Sequence, residues 1–362
     1  MSIASQLARS LTGSWLNVLL VVAPVSWWMA LRGDTSVWLF AAAAVTLIPA
    51  AGLIGEATEE LANRCGPTLG GFLNATFGNA AELIIAIVAL RANHIEVVKA
   101  SFTGSIIGNL LLVFGASCFV GGLRHGTQRF NRGTSGSATV MLSLAVAALV
   151  MPATVDFFAF GSLNARPEVI FRLSNWTACV LLVVYVAGLA FAFRTNQDPL
   201  RPAGHHPPRL SLSASVLLLS LGTLLTTVEA EILIKGLEPA LAALGMTELF
   251  AGVIVVALVG NAAEHYSAIA AALRNEMTLA IEISVGSSAQ IALMVAPLLV
   301  LASHWLGSPM SLLFNPFEIA AIGLAVATVS LVAIDGESNW LEGLQLLGLY
   351  VILAVAFYFI PA

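Results

Sequence analysis

Two copies of the pentapeptide Gly-Asn-Ala-Ala-Glu place a carboxyl group inside a long apolar segment of this chain. The first copy ends with Glu82 and the second ends with Glu264. A charge at the centre of a membrane helix costs roughly 2.5–3.5 kcal/mol on insertion scales. Two such costs at matching positions indicate a function. We expect these two acids to bind a metal cation and protons, rather than to form a structural pair that ties helices together.

Amide side chains share a helical face with each acid. Asn79 lies three residues before Glu82, and Asn261 lies three before Glu264; side chains three or four positions apart are neighbours on a helix. Asn74 extends the first face by two steps of four. Further polar side chains follow each motif: Ser105, Asn109, Ser287, Ser288 and Gln290. We predict that Asn79 and Asn261 bind the cation together with the two acids and that the other side chains line the site. Hydrogen bonding and close packing between helices also explain Asn and Ser in membranes.

The predicted ligands are all oxygen atoms. The three cysteines stand far apart, and the imidazole of His265 points about 100° away from Glu264 on a regular helix. His265 either relays protons or is a packed neutral side chain. An oxygen set suits a hard cation, and Ca²⁺ above Mg²⁺, because Ca²⁺ accepts irregular coordination. We expect Ca²⁺ as a transported substrate and no resident cofactor.

Protons compete with such a cation for the same oxygen atoms. Two close carboxylates in a low-dielectric site cannot both stay ionised without a cation, so one or both take up protons. A divalent cation offers two positive charges to the pair and expels those protons. If the protein changes conformation only when the pair is neutralised by one or the other, the result is cation/proton antiport.

Three further acids lie near the ends of apolar segments. Glu282 precedes Gln290 by two helical turns, and is either a cation entry point or an interfacial acid. Glu56 and Glu238 are separated by the spacing of the two pentapeptides (238 − 56 = 182). They either draw cations towards the two mouths of the protein or belong to solvated loop faces.

The elements that must position these residues are membrane helices. The chain has 362 residues, of which 59% are hydrophobic and 10% are charged, whereas a soluble domain carries about 25% charged residues. A hydrocarbon core roughly 30 Å thick needs about 20 apolar residues per helix. The composition and the apolar runs together predict an all-α, multi-pass integral membrane protein in contact with lipid. We expect it in a bacterial inner membrane or an organelle membrane, with no nucleic-acid partner. About eleven apolar runs qualify: 14–31, 36–55, 69–91, 97–122, 137–159, 173–194, 211–236, 246–273, 277–303, 316–334 and 341–360.

The spacing of the motifs indicates an internal duplication. The offset between the pentapeptides is 182 (260 − 78 = 182), and the same offset brings Gly104-Ser105 onto Gly286-Ser287 without a gap. Setting the first helix aside, five spans fall on either side of a proline-rich loop, and an odd number of spans inverts the second copy. Inverted repeats are typical of transporters with a site at the membrane midplane. The predicted division is 1–34 for the amino-terminal tail and first helix, 35–194 for the first repeat, 195–210 for the loop and 211–362 for the second repeat.

The motifs resemble those of a known family. "GFLNATFGNAAELIIAI" and "VALVGNAAEHYSAI", followed by "GSIIGNLLLV" and "VGSSAQIALMVAP", are similar to the two signature repeats of the cation/proton exchanger (CAX) family of Ca²⁺/cation antiporters. The resemblance implies one extra helix plus two inverted five-helix repeats, and Ca²⁺ export or sequestration driven by protons. It also implies that Glu82 and Glu264 carry cation and protons, and that the chain forms a homo-oligomer, as some relatives do. Gly108 stands where many relatives have Ser, which removes one potential ligand.

Three other functions are compatible with parts of the sequence. Na⁺-coupled Ca²⁺ exchange shares the duplication, although Na⁺/Ca²⁺ exchangers typically carry a Gly-Thr-Ser-type sequence before the acid. A cation channel would not need an inverted duplication. An intramembrane hydrolase is disfavoured because the sequence has no H-E-x-x-H or G-x-S-x-G motif.

Overall fold

The computed structural model describes residues 2–161, 166–195 and 208–360, so most of the predicted loop 195–210 lies outside the described residues. The first half of the chain contains helices α1 (Ile3–Gly13), α2 (Ala23–Leu31), α3 (Val37–Phe77), α4 (Ala80–Arg91), α5 (Ile95–Ile107), α6 (Phe114–His125), α7 (Arg132–Phe160) and α8 (Pro167–Thr195). The second half contains α9 (Leu212–Leu244), α10 (Glu248–Phe250), α11 (Ala257–Gly260), α12 (Ala262–Leu273), α13 (Met277–Gln290), α14 (Ala296–Leu306), α15 (Pro316–Ala333) and α16 (Trp340–Phe359).

Short irregular segments join several of these helices. A 3₁₀ helix, Trp15–Val22, connects α1 to α2, and a two-stranded antiparallel ribbon pairs β1 (Gln128–Arg129) with β2 (Glu337–Ser338). Three π-helical turns continue one helix into the next: Gly108–Val113 between α5 and α6, Ala251–Val256 between α10 and α11, and Ile291–Val295 between α13 and α14. Single π-helical turns occur frequently at functional sites.

The all-α membrane architecture is confirmed. Among the described residues, eight helices are long and apolar enough to cross a membrane, and the count rises to ten if each of two bent helix pairs is one span. The sequence predicts about eleven spans, and the difference is the third apolar run, 69–91. That run is divided between the end of α3 and α4, which has 12 residues and is therefore about 18 Å long.

Helix α3 folds back on itself before this division. A Cβ atom added to Gly70 would lie 2.2 Å from the backbone oxygen of Ala62. Residues eight positions apart in a straight helix are about 12 Å apart along its axis, so α3 must bend sharply between these two residues. The 41-residue helix therefore supplies the second span and the beginning of the third.

Helices α3 and α9 pack against each other in opposite directions. Gly222 of α9 lies against Ile54 of α3, and Gly236 of α9 lies against Phe40. The two residue numbers add up to 276 in both contacts (222 + 54 and 236 + 40), which defines an antiparallel register. Because glycine has no side chain, the two backbones approach closely here, as they do at small residues between membrane helices.

Helix breaks recur at the spacing of the sequence motifs. Helices α4 and α12 begin and end 182 residues apart (262 − 80 and 273 − 91). Each is followed by an asparagine in the left-handed region, Asn93 at φ 65° and Asn275 at φ 63°. Asparagine tolerates this conformation better than most residues because its short side chain can hydrogen-bond locally. The motif copies therefore fold with the same local backbone geometry.

Candidate cation and proton site

Both motif acids lie in the first turn of a helix that starts inside the motif. Asn79 precedes α4 with φ −103° and ψ 29°, and Asn261 precedes α12 with φ −93° and ψ 15°. These values interrupt the preceding helix, as the glycine in each motif predicts. Glu82 and Glu264 thus occupy equivalent third positions of their helices, where the helix dipole favours negative charge.

Glu82 is buried and lacks partners. Its side chain is 8% exposed, and neither carboxyl oxygen has a hydrogen-bond partner in another described residue. Its Cγ lies against the second motif, because a Cβ added to Gly260 would be 3.5 Å away from it. A buried polar group without a partner is costly in a native protein and indicates a ligand, a water molecule or a catalytic role at that position.

Glu264 has a similar environment. Its Oε2 is buried without a hydrogen-bond partner among the described residues, while the side chain as a whole is partly buried. Glu264 and Glu82 are close enough for a direct charge–charge interaction. The structure therefore brings the two predicted acids together, with oxygen atoms available on both.

Six polar side chains form one continuous hydrogen-bonded network beside the acids. Each of its five hydrogen bonds joins a residue of the first half to a residue of the second half. Asn79 donates from Nδ2 to Gln290 Oε1 and accepts at Oδ1 from Ser287 Oγ at 3.0 Å. Asn109 Nδ2 donates to Ser287 Oγ at 3.1 Å and to Asn261 Oδ1 at 3.0 Å. Asn261 Nδ2 donates in turn to Ser105 Oγ at 2.8 Å.

The network is partly symmetric. The contact between Asn79 and Ser287 becomes the contact between Asn261 and Ser105 when each residue is replaced by its counterpart 182 positions away (79 + 182 = 261; 287 − 182 = 105). Two members have no polar counterpart, because Gln290 corresponds to Gly108 and Asn109 corresponds to Ile291. Asn109 is fully buried and its Oδ1 lacks a partner within the described part of the chain.

Among the described residues, two predicted lining residues, Ser288 and Asn74, make no side-chain hydrogen bond to this network. Ser288 is buried, and its hydroxyl donates to the backbone oxygen of Ser284 at 2.9 Å. Asn74 is half-buried in the last turn of α3, where its backbone oxygen accepts from the N–H of Gly78. Both stay predictions as ligands.

The predicted entry and relay residues occupy unlike environments. His265 is half-buried in α12, and Glu282 is buried in α13. Glu56 is half-buried and hydrogen-bonds the Ser10 side chain of α1. Glu238 is exposed on α9, so the equal spacing of Glu56 and Glu238 does not give them equal surroundings.

Glu318 and Glu229 are two of the fully buried acids that lie outside the sequence-based site. Glu318 is 1% exposed and accepts from Thr103 Oγ1 at 2.8 Å and from the N–H of Asn315 at 2.9 Å. The N-x-x-E pattern 315–318, a capping box, is the sequence signal that could have placed it. Glu229 is 0% exposed near the middle of α9, and its signal is a charge at the centre of an apolar run.

The oxygen atoms of this site suit a cation that is bound by two carboxylates and by uncharged oxygen ligands. Within the ranges that the structure covers, no group of three or more His, Cys, Asp and Glu side chains could hold a metal ion. The acids of the site number two, and any further ligands there would be uncharged amide, hydroxyl or backbone oxygens. Hard cations such as Ca²⁺ use this type of ligand.

Comparison with known proteins identifies relatives along nearly the whole chain. The sodium/calcium exchanger protein family matches residues 35–194 and 214–359. A Ca²⁺/H⁺ antiporter of Synechocystis sp. is 42% identical, over 95% of this chain and 97% of its own. The Ca²⁺/H⁺ antiporter ChaA of Bacillus subtilis is 41% identical, over 88% of this chain and 92% of its own. A vacuolar calcium ion transporter of Schizosaccharomyces pombe is 35% identical, over 97% of this chain and 86% of its own.

Solved structures agree with these relatives. The structure of native YfkE has 38% sequence identity and a TM-score of 0.83, and the match covers 95% of this chain and 100% of that one. The H⁺/Ca²⁺ exchanger CAX has 14% identity and a TM-score of 0.72, and at that identity the match shows the fold alone. The duplicated acidic motifs, the shared fold and the extent of these similarities lead to one conclusion. This chain belongs to the CAX-type Ca²⁺/H⁺ antiporters of the sodium/calcium exchanger superfamily, a family of transporters and not of enzymes.

Proposed function

We propose that this multi-pass membrane protein exchanges Ca²⁺ for H⁺ by alternating access, and that Glu82 and Glu264 bind the cation and the protons in competition. The observation that carries the proposal is the proximity of these two acids, each with buried oxygen that lacks a hydrogen-bond partner among the described residues. The names of the relatives support the choice of Ca²⁺ and H⁺ as substrates.

Electrostatics makes the two ligands mutually exclusive. With no cation bound, repulsion and burial favour protons on the pair. A bound Ca²⁺ stabilises both carboxylates in their ionised form, because its two charges neutralise them in a medium of low dielectric constant. Each ligand therefore displaces the other, and the Glu82–Glu264 pair is neutralised in either state.

The hydrogen-bonded network has a separate role in this proposal. Asn79, Asn261 and their serine partners satisfy one another, which leaves the carboxylates free to bind a cation. The network also spans both halves, so a movement of one half relative to the other must rearrange it. Such a network can bias two alternative packings of the same helices.

Pseudo-symmetry supports alternating access. The contact of Gly222 with Ile54 corresponds to that of Phe40 with Gly236 under the 182-residue shift (222 − 182 = 40; 54 + 182 = 236). Helix α9 runs opposite to α3, as an inverted repeat requires. We infer that residues 35–194 and 211–362 are inverted repeats and that transport exchanges their conformations, as in other inverted-repeat transporters.

Transport by the purified protein in liposomes tests this function. Radioactive Ca²⁺ uptake is measured with an acidic interior, first in K⁺ medium and then with a Na⁺ gradient in place of the pH gradient. We expect uptake that depends on the pH gradient, acidifies the external medium and is lost with a protonophore. Uptake driven by the Na⁺ gradient alone would favour Na⁺-coupled exchange, and Ca²⁺ flux without proton movement would favour a channel.

A further inference from the structure

A third acid lies at the centre of the membrane, away from the cation site. Glu229 is the eighteenth residue of the 33-residue helix α9, about 25 Å from its first residue. Its side chain is 0% exposed. A charged side chain at this depth is costly, and acids found there usually mark proton pathways or binding sites.

The neighbours of Glu229 are neutral. Ser26 Oγ lies 2.9 Å from Glu229 Oε1 and 3.0 Å from Oε2, and the Trp27 side chain lies near the carboxyl group. Both belong to α2, in the extra amino-terminal segment that precedes the proposed repeats. Among the described residues, Ser26 is the side-chain hydrogen-bond partner of Glu229.

The parts of α2 and α3 beside Glu229 carry no titratable residue, and the nearest charged residues on α9 itself are Glu231 and Lys235. The helices packed against α9 are α1, α2, α3 and α4. The antiparallel register places Leu47 of α3 level with Glu229 (47 + 229 = 276), and neither 37–54 nor 23–31 contains a titratable residue. The charged residues of these four helices and their caps lie elsewhere, in Arg9, Arg32, Glu56, Glu59, Glu60, Arg64, Glu82 and Arg91.

The hydrogen count around Ser26 favours a protonated acid. A serine hydroxyl has one hydrogen to donate, yet Ser26 Oγ is within hydrogen-bond distance of three oxygens: both of Glu229 and the backbone oxygen of Ala23 at 2.9 Å. If Glu229 is protonated, its O–H donates to Ser26 Oγ and the hydroxyl of Ser26 donates to Ala23. Each hydrogen of the Glu229–Ser26–Ala23 chain then has one acceptor.

We propose that Glu229 is a third proton-binding carboxyl group, which keeps its proton when Ca²⁺ occupies the Glu82–Glu264 site. In its protonated form Glu229 joins α2 to α9 through Ser26. Loss of the proton would leave a negative charge in the hydrocarbon core and would take the Ser26 hydroxyl away from Ala23. Glu229 is thus a positioning residue of α9, and its proton is distinct from those that Ca²⁺ displaces.

Infrared spectroscopy of the reconstituted protein tests the proton directly, through the C=O stretching band of protonated carboxylic acids. Spectra of the full-length protein at neutral pH are compared with and without saturating Ca²⁺. We expect a band component that persists in Ca²⁺ and disappears in Glu229→Gln. Ser26→Ala should shift this component to higher frequency, because it removes a hydrogen-bond partner. The matched control is Glu276→Gln, an exposed acid paired with Arg274 at 3.0 Å, which should remove no part of the band.

The outcomes separate this proposal from the proposed function. A component that Ca²⁺ abolishes reports the Glu82–Glu264 pair, and its absence would contradict the competition mechanism alone. Identical Ca²⁺-saturated spectra for the wild type and Glu229→Gln would show that Glu229 is ionised, and would overturn the proposal for Glu229 alone.

Thermal unfolding gives a second readout of the link between the helices. A proton held by the folded state and released in the unfolded state makes stability fall as the pH rises. The amide of Glu229→Gln keeps its hydrogen atoms at every pH and can donate to Ser26. We therefore expect the melting temperature of the wild type to fall more than that of Glu229→Gln between mildly acidic and alkaline pH. Equal decreases in both proteins would contradict the proposal.

Discussion

Replacement of Glu82 by Gln tests the electrostatic basis of the proposed exchange most sharply. The substitution keeps the shape of the side chain and removes its charge. Neither oxygen of Glu82 has a hydrogen-bond partner in another described residue, so the change breaks no contact in the cation-free protein. We therefore expect the cation-free variant to fold and to be at least as stable as the wild type, because a buried unpaired acid is removed.

Loss of the Glu82 charge should weaken Ca²⁺ binding. Glu82 is 8% exposed, so water screens its charge little, and truncation of one partner of a buried charge pair costs about 2–5 kcal/mol. That cost weakens binding roughly 30- to 4,000-fold, since each 1.4 kcal/mol is a factor of ten. A Ca²⁺ concentration of about 100 times the wild-type Kd stabilises the folded protein by about 2.7 kcal/mol. With a 100-fold higher Kd, the same concentration gives about 0.4 kcal/mol.

Proton competition changes in the same variant. If two carboxyl groups release protons when Ca²⁺ binds, the Kd of the wild type rises up to about 100-fold per unit of falling pH over the range where both are protonated. With one carboxyl group left, the limit is about tenfold per unit. Thermal shift assays at several Ca²⁺ concentrations and pH values measure both effects, with Glu276→Gln as the control. A folded Glu82→Gln protein with wild-type Ca²⁺ stabilisation and an unchanged pH slope would refute the reasoning.

Three further predictions concern the partner acid, the network and the packing of the bundle. Glu264→Gln should abolish pH-driven Ca²⁺ uptake in liposomes as Glu82→Gln does, and retained uptake would argue against a shared site. Asn109→Ala removes two hydrogen bonds between the halves and should lower stability by about 1–3 kcal/mol, measured by thermal unfolding; an unchanged melting temperature would contradict this role. Gly343→Ala would place a Cβ 2.2 Å from the backbone nitrogen of Phe119 and should destabilise by about 1–3 kcal/mol, whereas Gly348→Ala, with open space around it, should not.

Much of the site was predictable because its signals are local. An acid in an apolar segment is expensive wherever the segment lies, so Glu82 and Glu264 stand out without any knowledge of the fold. The glycine in each motif, Gly78 or Gly260, likewise predicts a local opening of the helix, and the structure has a break at the next residue. Agreement of the motif, its neighbours and their common spacing is enough to indicate a duplication.

The contacts between the halves were not predictable in detail. The sequence groups Ser287, Ser288 and Gln290 as equivalent candidates, yet Ser287 and Gln290 contact Asn79 while Ser288 donates to a backbone oxygen. Positions one apart on a helix differ by about 100° in direction, and which direction faces the other half depends on how the helices cross. In helices that are apolar on all sides, the pattern of residues along the sequence does not show which side faces the other half.

The number of membrane spans was predictable only in part. Apolar run lengths predict about eleven spans, and they correctly indicate a membrane protein. They do not reveal that the third run is split at Asn79, or that α3 bends between Ala62 and Gly70. The motif residues give a local signal for the split at Asn79, whereas the bend in α3 appears only in the structure.

The sequence by itself determined the membrane class, the repeated motif and the two acids, because the cost of polar groups in hydrocarbon depends only on composition along a segment. Tertiary structure alone decided that Glu82 faces Gly260, that Asn109 bridges the halves and that Glu229 is joined to Ser26. Those contacts connect residues 150 or more positions apart in the chain. They follow from the way antiparallel helices are brought together, which no local pattern of residue types specifies.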